Sequence, residues 1–272
     1  MKSIKILIKN VLWRSQMLKC LWTLRKGSLS AIVKKAVTAT VFHRMTRQEA
    51  MLIGHIETIR TAAESDETPV EIVDFGAGDP DSMRTEDEMT NGLQQTVSCA
   101  QIANGSKPPI WGLLLYNLVK YFKPNLIVEL GTCIGISAAY QATAQKFNDK
   151  GVLYTIEGSN NIAAIARKNF AELGLEHVTS CCGKFADVLP GIFETANHRI
   201  DYVFIDGHHE EKATIAYFYS FLPHLSAEAL LVFDDIAWSQ GMKSAWKTIK
   251  SDPHVTMAID MKTIGLCYVK KT

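Results

Sequence analysis

The chain has 272 residues, 47% hydrophobic and 21% charged, with a net charge of +1 and a mean hydropathy near zero. That composition excludes a disordered, collagen-like or disulfide mini-scaffold protein, and no apolar run reaches the roughly 18 residues of a membrane span, because Lys or Arg breaks every long run near the N-terminus. The six cysteines (Cys20, Cys99, Cys133, Cys181, Cys182, Cys267) contain no CxxC pair, so reduced thiols in a cytoplasmic protein are expected rather than a zinc ribbon or thioredoxin-type centre.

The net charge hides an asymmetry. Residues 1–48 carry eleven Lys or Arg and no acid, leaving eighteen bases against twenty-eight acids in 49–272. Ile4, Ile8, Val11, Leu12, Leu18, Leu21 and Trp22 recur at helical spacing between Lys5, Lys9, Arg14, Lys19, Arg25 and Lys26, which predicts basic amphipathic helices. Three uses compete: a helical cap on the acidic body, a helix for a membrane surface or a lipophilic substrate, and an organellar presequence. A secretory signal is disfavoured, since no compact apolar core with a small-residue cleavage site is present. Nucleic acid is not expected as a partner, because no nucleic-acid module follows and the remaining chain is acidic.

Residues 49–69 read as a helix ending in the polar run Ala63-Glu64-Ser65-Asp66-Glu67-Thr68-Pro69. A short strand then enters the Gly-rich turn Asp74-Phe75-Gly76-Ala77-Gly78-Asp79-Pro80. Pro80 stands where a third small residue is wanted, and 81–107 is polar with no second strand in evidence. A structural turn or cap element is therefore expected rather than a nucleotide loop. Gly105-Ser106-Lys107-Pro108-Pro109 marks a boundary, dividing a mainly helical cap, 1–105, from a regular domain, 106–272.

Beyond that boundary apolar runs and helical periods alternate. Helices are predicted over 111–122, from 137, over 161–173, between 182 and 200, up to 222 and over 241–249. Strands are predicted at 126–130, 152–156, 177–182, 200–205 and 229–233. Continuous apolar strands alternating with helices indicate a parallel sheet covered on both faces, the α/β doubly wound class. The closing strands, 255–259 and 264–269, lie too close for a crossover helix and predict an antiparallel hairpin at the sheet edge.

Ligands of such sheets bind at the carboxyl ends of the strands, at the switch point. The first strand supplies Glu129 and the turn Gly131-Thr132-Cys133-Ile134-Gly135, with Ser137 opening the next helix. Cys133 and Ile136 stand where a dinucleotide fingerprint needs its second and third glycines, so a ligand without a pyrophosphate fits better. Glu157 ends the second strand, twenty-two residues past Gly135, where a carboxylate can accept both ribose hydroxyls. Gly183-Lys184-Phe185-Ala186-Asp187 is positioned to flank an adenine ring.

The motifs Glu129-Leu130-Gly131-Thr132-Cys133-Ile134-Gly135-Ile136-Ser137, Tyr154-Thr155-Ile156-Glu157-Gly158, Asp201 to His209 and Phe233-Asp234-Asp235-Ile236 occur in that order. Together they resemble class I S-adenosylmethionine-dependent methyltransferases. More narrowly they are similar to small-molecule O-methyltransferases of the catechol, caffeoyl-CoA and sugar-modifying types. The resemblance covers about 106–272 and implies a Rossmann-like seven-stranded sheet with its last strand antiparallel. It implies S-adenosyl-L-methionine as cofactor, with Glu129, Gly131, Thr132, Gly135 and Ser137 at its methionine end and Glu157 and Gly158 at the ribose. Lys184, Phe185 and Asp206 complete that cofactor set.

Asp206 closes the fourth strand, and Asp234 and Asp235 close the fifth, so three carboxylates are expected at one sheet edge. Converging hard oxygen donors suit Mg²⁺ or another divalent cation, which would hold a substrate hydroxyl and lower its pKa. In the metal-dependent O-methyltransferases resembled, an Asp on the fourth strand and an Asp-Asp or Asp-Asn pair on the fifth are the ligands. Those families carry a Lys or Asp base two or three residues after the first Asp. Here His208 and His209 stand in that loop, and a pKa near 6.5 suits proton transfer. Trp238, Met242 and Trp246 follow, either walling a pocket or packing a helix.

The partner expected is a small hydroxylated molecule. A homodimer and peripheral membrane contact through 1–48 stay open. Competing readings are a metal-independent methyltransferase with a His base, a nicotinamide-dependent oxidoreductase, and a non-catalytic nucleoside-binding protein.

Overall fold

The computed structural model describes residues 2–22, 24, 27–197 and 199–271, with the side chains of 2–8 and 28 outside that description. Ile4, Lys5, Ile8, Arg25 and Lys26 of the basic pattern lie outside the described side chains. Three helices open the chain: α1 (Lys2–Cys20), α2 (Ser28–Val41) and α3 (Arg47–Glu64). Thr46 starts α3 through a capping box with Glu49, which satisfies two orphan donors of its first turn. Next come β1 (Pro69–Asp74), β2 (Gly78–Asp79), β3 (Ser82–Met83), α4 (Glu86–Asn91), β4 (Leu93–Ser98) and α5 (Cys99–Ala103). The regular domain follows as α6 (Pro109–Phe122), β5 (Leu126–Leu130), α7 (Ile136–Asn148), β6 (Val152–Glu157), α8 (Asn160–Glu172), β7 (Val178–Cys182) and α9 (Phe185–Ala196). It closes with β8 (Ile200–Ile205), α10 (Glu211–Phe221), β9 (Leu225–Phe233), α11 (Gln240–Lys250), β10 (Val255–Asp260) and β11 (Gly265–Lys270).

The main sheet has seven strands in the order β10-β11-β9-β8-β5-β6-β7. β5 pairs in parallel with both β6 and β8, and β11 lies antiparallel between β9 and β10. The doubly wound sheet with an antiparallel last strand is therefore observed. β5 is buried along its whole length, because helices cover both faces of a central parallel strand. One apolar cluster joins α6, α7 and α8 to Met17 of α1, Val33, Ala36 and Val37 of α2, and Ile53 and Ile56 of α3. The opposite face packs Leu189 and Ile192 of α9, Phe218 and Phe221 of α10, and Trp246 and Ile249 of α11.

The expectation of no second strand in 81–107 is corrected. β1 pairs antiparallel with β4, from Pro69 opposite Ser98 to Asp74 opposite Leu93, and β2 pairs with β3. β4 reads Leu-Gln-Gln-Thr-Val-Ser; a two-stranded ribbon outside the main sheet buries too little surface to demand a continuous apolar run. This insert, with α4 between its strands, stands beside the carboxyl ends of β5, β6 and β8.

Candidate functional site

Strand register brings the site together. Leu130 pairs with Ile156 and with Ile205, so Gly131, Glu157 and Asp206 leave adjacent strands side by side. Ile205 pairs with Phe233, which sets Asp206 beside Asp234. Asp206 N donates to the Leu130 carbonyl and Asp234 N to that of Ile205, each at 2.9 Å. Gly131 has φ +95°, and a Cβ there would land on the Asp206 carbonyl. Only glycine combines that conformation with so close an approach.

A cavity of about 770 Å³ opens at this switch point, in the size range of small-molecule sites. Gly131, Glu157, Gly158, Lys184, Phe185, Asp206, His208 and His209 line it. The other wall comes from the insert, including Ile72, Phe75, Gln95 and Val97. Each Glu157 oxygen accepts one backbone N–H, Oε2 from Cys133 at 2.9 Å and Oε1 from Ser159 at 3.0 Å. Burial nevertheless pushes its pKa above the usual carboxylate range.

Four residues expected at the methionine end, Glu129, Thr132, Gly135 and Ser137, are buried and are not among the residues that line the cavity. Glu129 is 0% exposed and accepts from Gln141 Nε2 at 2.9 Å and Thr155 Oγ1 at 2.6 Å. Burial raises its pKa to about 8. Thr132 is fully buried against Thr155, Oγ1 to Oγ1, at 2.6 Å. Gly135 caps α7 with φ 87°, and Ser137 is buried in the first turn of that helix. Together they shape the turn from below.

At the reaction end Asp206, His209 and Asp234 form the one group of potential metal donors among the described residues, all within 4.8 Å of one another. Asp235, expected as a third carboxylate, is not in that group. Its left-handed backbone, φ 51°, turns the chain as it leaves β9, and consecutive residues there face different sides. Asp234 is 1% exposed, and its Oδ1 has no hydrogen-bond partner. A buried, unpartnered carboxylate oxygen beside a second carboxylate and an imidazole is a donor set that fits a divalent cation.

Lys107 is the residue that sequence reasoning missed. From the α5–α6 connection its Nζ makes a close ion pair with Asp234 and lies 3.4 Å from Asp206 Oδ1. Its single positive charge partly offsets the two acids that a cation would bind. The segment Gly105-Ser106-Lys107-Pro108-Pro109 signalled only a boundary, and no local pattern ties a lysine there to aspartates a hundred residues away.

The two histidines differ. His208 Nδ1 lies 2.6 Å from the Tyr217 hydroxyl, its ring packs edge-on to Phe185, and burial lowers its pKa. His209 Nε2 lies 3.5 Å from Asp206 Oδ1, and its ring is 5.8 Å from that of Trp238. Both have left-handed backbones, a conformation that clusters at functional sites. Trp246 packs into the core with Phe233, and Met242 is buried on the core face of α11.

Residues 128–236 match a family model described as a methyltransferase domain. The chain is 30% identical over 156 residues to a catechol O-methyltransferase of Niastella koreensis, an alignment spanning 57% of this chain and 68% of that protein. Its fold is similar to a Bacillus cereus O-methyltransferase in complex with S-adenosylhomocysteine, at 21% identity and TM-score 0.52, covering 63% of this chain and 86% of that one. It is also similar to the O-methyltransferase TomG of Streptomyces achromogenes in complex with S-adenosylmethionine, at 24% identity and TM-score 0.54, covering 61% and 82%. With the strand order, the switch-point cavity and the Glu157 and Asp206 positions already described, these likenesses lead to one conclusion: the chain belongs to the class I S-adenosylmethionine-dependent O-methyltransferases.

Proposed function

We propose that this enzyme methylates a hydroxyl oxygen of a small molecule at the group formed by Asp206, His209 and Asp234. The observation that carries the reading is the convergence of two carboxylates and an imidazole, within 4.8 Å of one another, beside the cavity that Gly131 and Glu157 line. Glu157 accepts the ribose hydroxyls, and the Gly131–Gly135 turn leaves room for the methionine end. Lys184 and Phe185 flank the adenine. His209, the member of the histidine pair beside Asp206, accepts the acceptor's proton at Nε2. The acceptor oxygen then forms a bond to the methyl carbon, the C–S bond breaks, and its electron pair stays on sulfur to give neutral S-adenosylhomocysteine.

Asp206 and Asp234 would hold a divalent cation, with Mg²⁺ the expected ion. When bound it supplies positive charge that lowers the pKa of the acceptor hydroxyl. One observation favours a second, metal-independent reading: the Lys107 ammonium already rests against both carboxylates. There His209 is the sole base and Lys107 provides the counter-charge. Transfer of a labelled methyl group to a panel of hydroxylated metabolites, run with Mg²⁺ and with excess EDTA, separates the two. Loss of turnover in EDTA, restored by Mg²⁺ or Mn²⁺, is expected; full activity in EDTA overturns the metal role.

Beyond the reaction, a cytoplasmic protein is proposed because the six cysteines contain no CxxC pair and show no regular spacing. Peripheral contact of α1 with an anionic membrane surface is supported by exposed Val11, Leu12 and Trp22 on a segment that carries bases and no acid. No described helix is long and apolar enough to cross a membrane.

A further inference from the structure

The turn Asp74-Phe75-Gly76-Ala77-Gly78, dismissed from sequence as a structural turn or cap element, stands at the cofactor cavity. The insert that carries it bridges the two lips of the crevice. On the ribose side, Val73 N donates to Ser159 Oγ at 3.4 Å and Asn161 Nδ2 donates to the Glu71 carbonyl at 2.7 Å. On the reaction side, Ala77 N donates to the His208 carbonyl at 2.9 Å. The turn between is braced by Arg84, whose Nη2 donates to Asp74 Oδ2 at 2.8 Å and whose Nη1 donates to the Gly76 carbonyl at 3.0 Å. Gln95 Nε2 reaches the same Asp74 oxygen at 3.2 Å.

This bracing presents one aromatic ring to the cavity. Phe75 lies over Gly158, the residue after Glu157, so closely that a Cβ at Gly158 would stand 2.6 Å from its ring. The Lys184 ammonium is 5.6 Å from the Phe75 ring centroid. Phe75 thus sits between the carboxylate that faces the ribose and the loop that follows β7, it is only partly buried, and it lines the cavity. A partly exposed aromatic ring lining the cavity at that point, next to Glu157, matches a purine.

We propose that Phe75 is a cofactor-binding residue whose ring stacks on the adenine of S-adenosylmethionine, so that the 69–98 insert is part of the cofactor site rather than only a cap. The assignment rests on the cofactor occupying this cavity, as the proposed function requires. Gly158 then serves by lacking a side chain, since any larger residue would push the ring out of line.

Calorimetric titration of the full chain with S-adenosylhomocysteine tests it, using Phe75→Ala, Phe75→Leu and Phe75→Tyr. Stacking predicts that Ala and Leu each weaken binding roughly tenfold or more, while Tyr stays near the wild-type affinity because it keeps the π face. Leu retains apolar bulk, so a Leu variant that binds like the wild type would reduce Phe75 to packing and overturn the proposal. Equal or tighter binding by the Ala variant would overturn it too, the latter marking Phe75 as a plug in the adenine position. Failure of the wild type to bind would instead refute the cofactor cavity itself, and the proposal with it.

Discussion

Single residues carry the chemistry through their surroundings. Glu157 is legible from its position at the end of a strand; if it accepts both ribose hydroxyls, as proposed, its loss leaves both without a partner. Glu157→Ala should weaken S-adenosylhomocysteine binding by about 1–3 kcal/mol in calorimetry; unchanged affinity would remove the ribose assignment. Glu129 makes a different prediction, about stability. Its folded pKa is about 8 against an ordinary 4.5, so between those values the folded state keeps a proton the unfolded chain has released. Stability should therefore fall as pH rises from about 4.5 to 8 and level off above. Glu129→Gln, neutral throughout, should flatten that part of a melting-temperature profile against pH. Lys107 pairs with the buried Asp234 and lies beside the partly buried Asp206, and removing one partner of a buried pair costs about 3–5 kcal/mol. Lys107→Met should melt well below the wild type without metal and regain stability in millimolar Mg²⁺. No recovery with Mg²⁺ would count against a cation site at Asp206 and Asp234.

At the scale of elements, the N-terminal helices pack on the regular domain rather than line the cavity. The cavity is lined by residues of the insert and of the strand ends, and none of its lining residues precedes Ile72. α2 instead seals α6: Val33, Ala36 and Val37 are fully buried, and Thr40 Oγ1 accepts from Asn117 Nδ2 at 3.1 Å. Removing residues 1–48 would expose that face of α6 to water, at roughly 25 cal/mol per Å² of apolar surface. The truncated protein should show a lowered melting temperature and aggregation as well as any loss of turnover. A truncated enzyme with unchanged melting behaviour would mean that these helices only lean on the domain. The β1–β4 ribbon shows the opposite relation, since its pairing buries little yet it supplies one wall of the cavity.

At the scale of the whole molecule, charge and apolar surface are distributed unevenly. Residues 1–48 hold eleven bases and no acid, and Trp22 is 91% exposed. If that surface meets a membrane, the enzyme should sediment with anionic vesicles and not with neutral ones, and raised salt should release it because the attraction is screened within about 10 Å. Trp22→Ser should weaken the association further. Equal partitioning onto neutral vesicles would argue against an electrostatic surface contact. The switch-point crevice lies where the strand order reverses between β6–β7 on one side of β5 and β8–β9 on the other, so a cofactor and an acceptor bound as proposed would share one edge.

The alternation of apolar strands with helical periods was enough, by itself, to determine the doubly wound sheet and its closing hairpin, because strands buried on both faces must read as continuous apolar runs. It also located Glu157, Asp206 and Asp234, since residues just past such strands emerge at one edge. Tertiary structure alone decided the rest. Lys107 meets Asp206 and Asp234 from a segment distant in the chain, and Phe75 meets Gly158 from an insert whose second strand, β4, leaves no apolar signature. Asp235 leaves the donor group, and His209 rather than His208 joins it, through backbone turns at φ 51° and 52°. Hydrophobic periodicity reports which face of an element is buried; it carries no information on which distant side chain comes to rest against it.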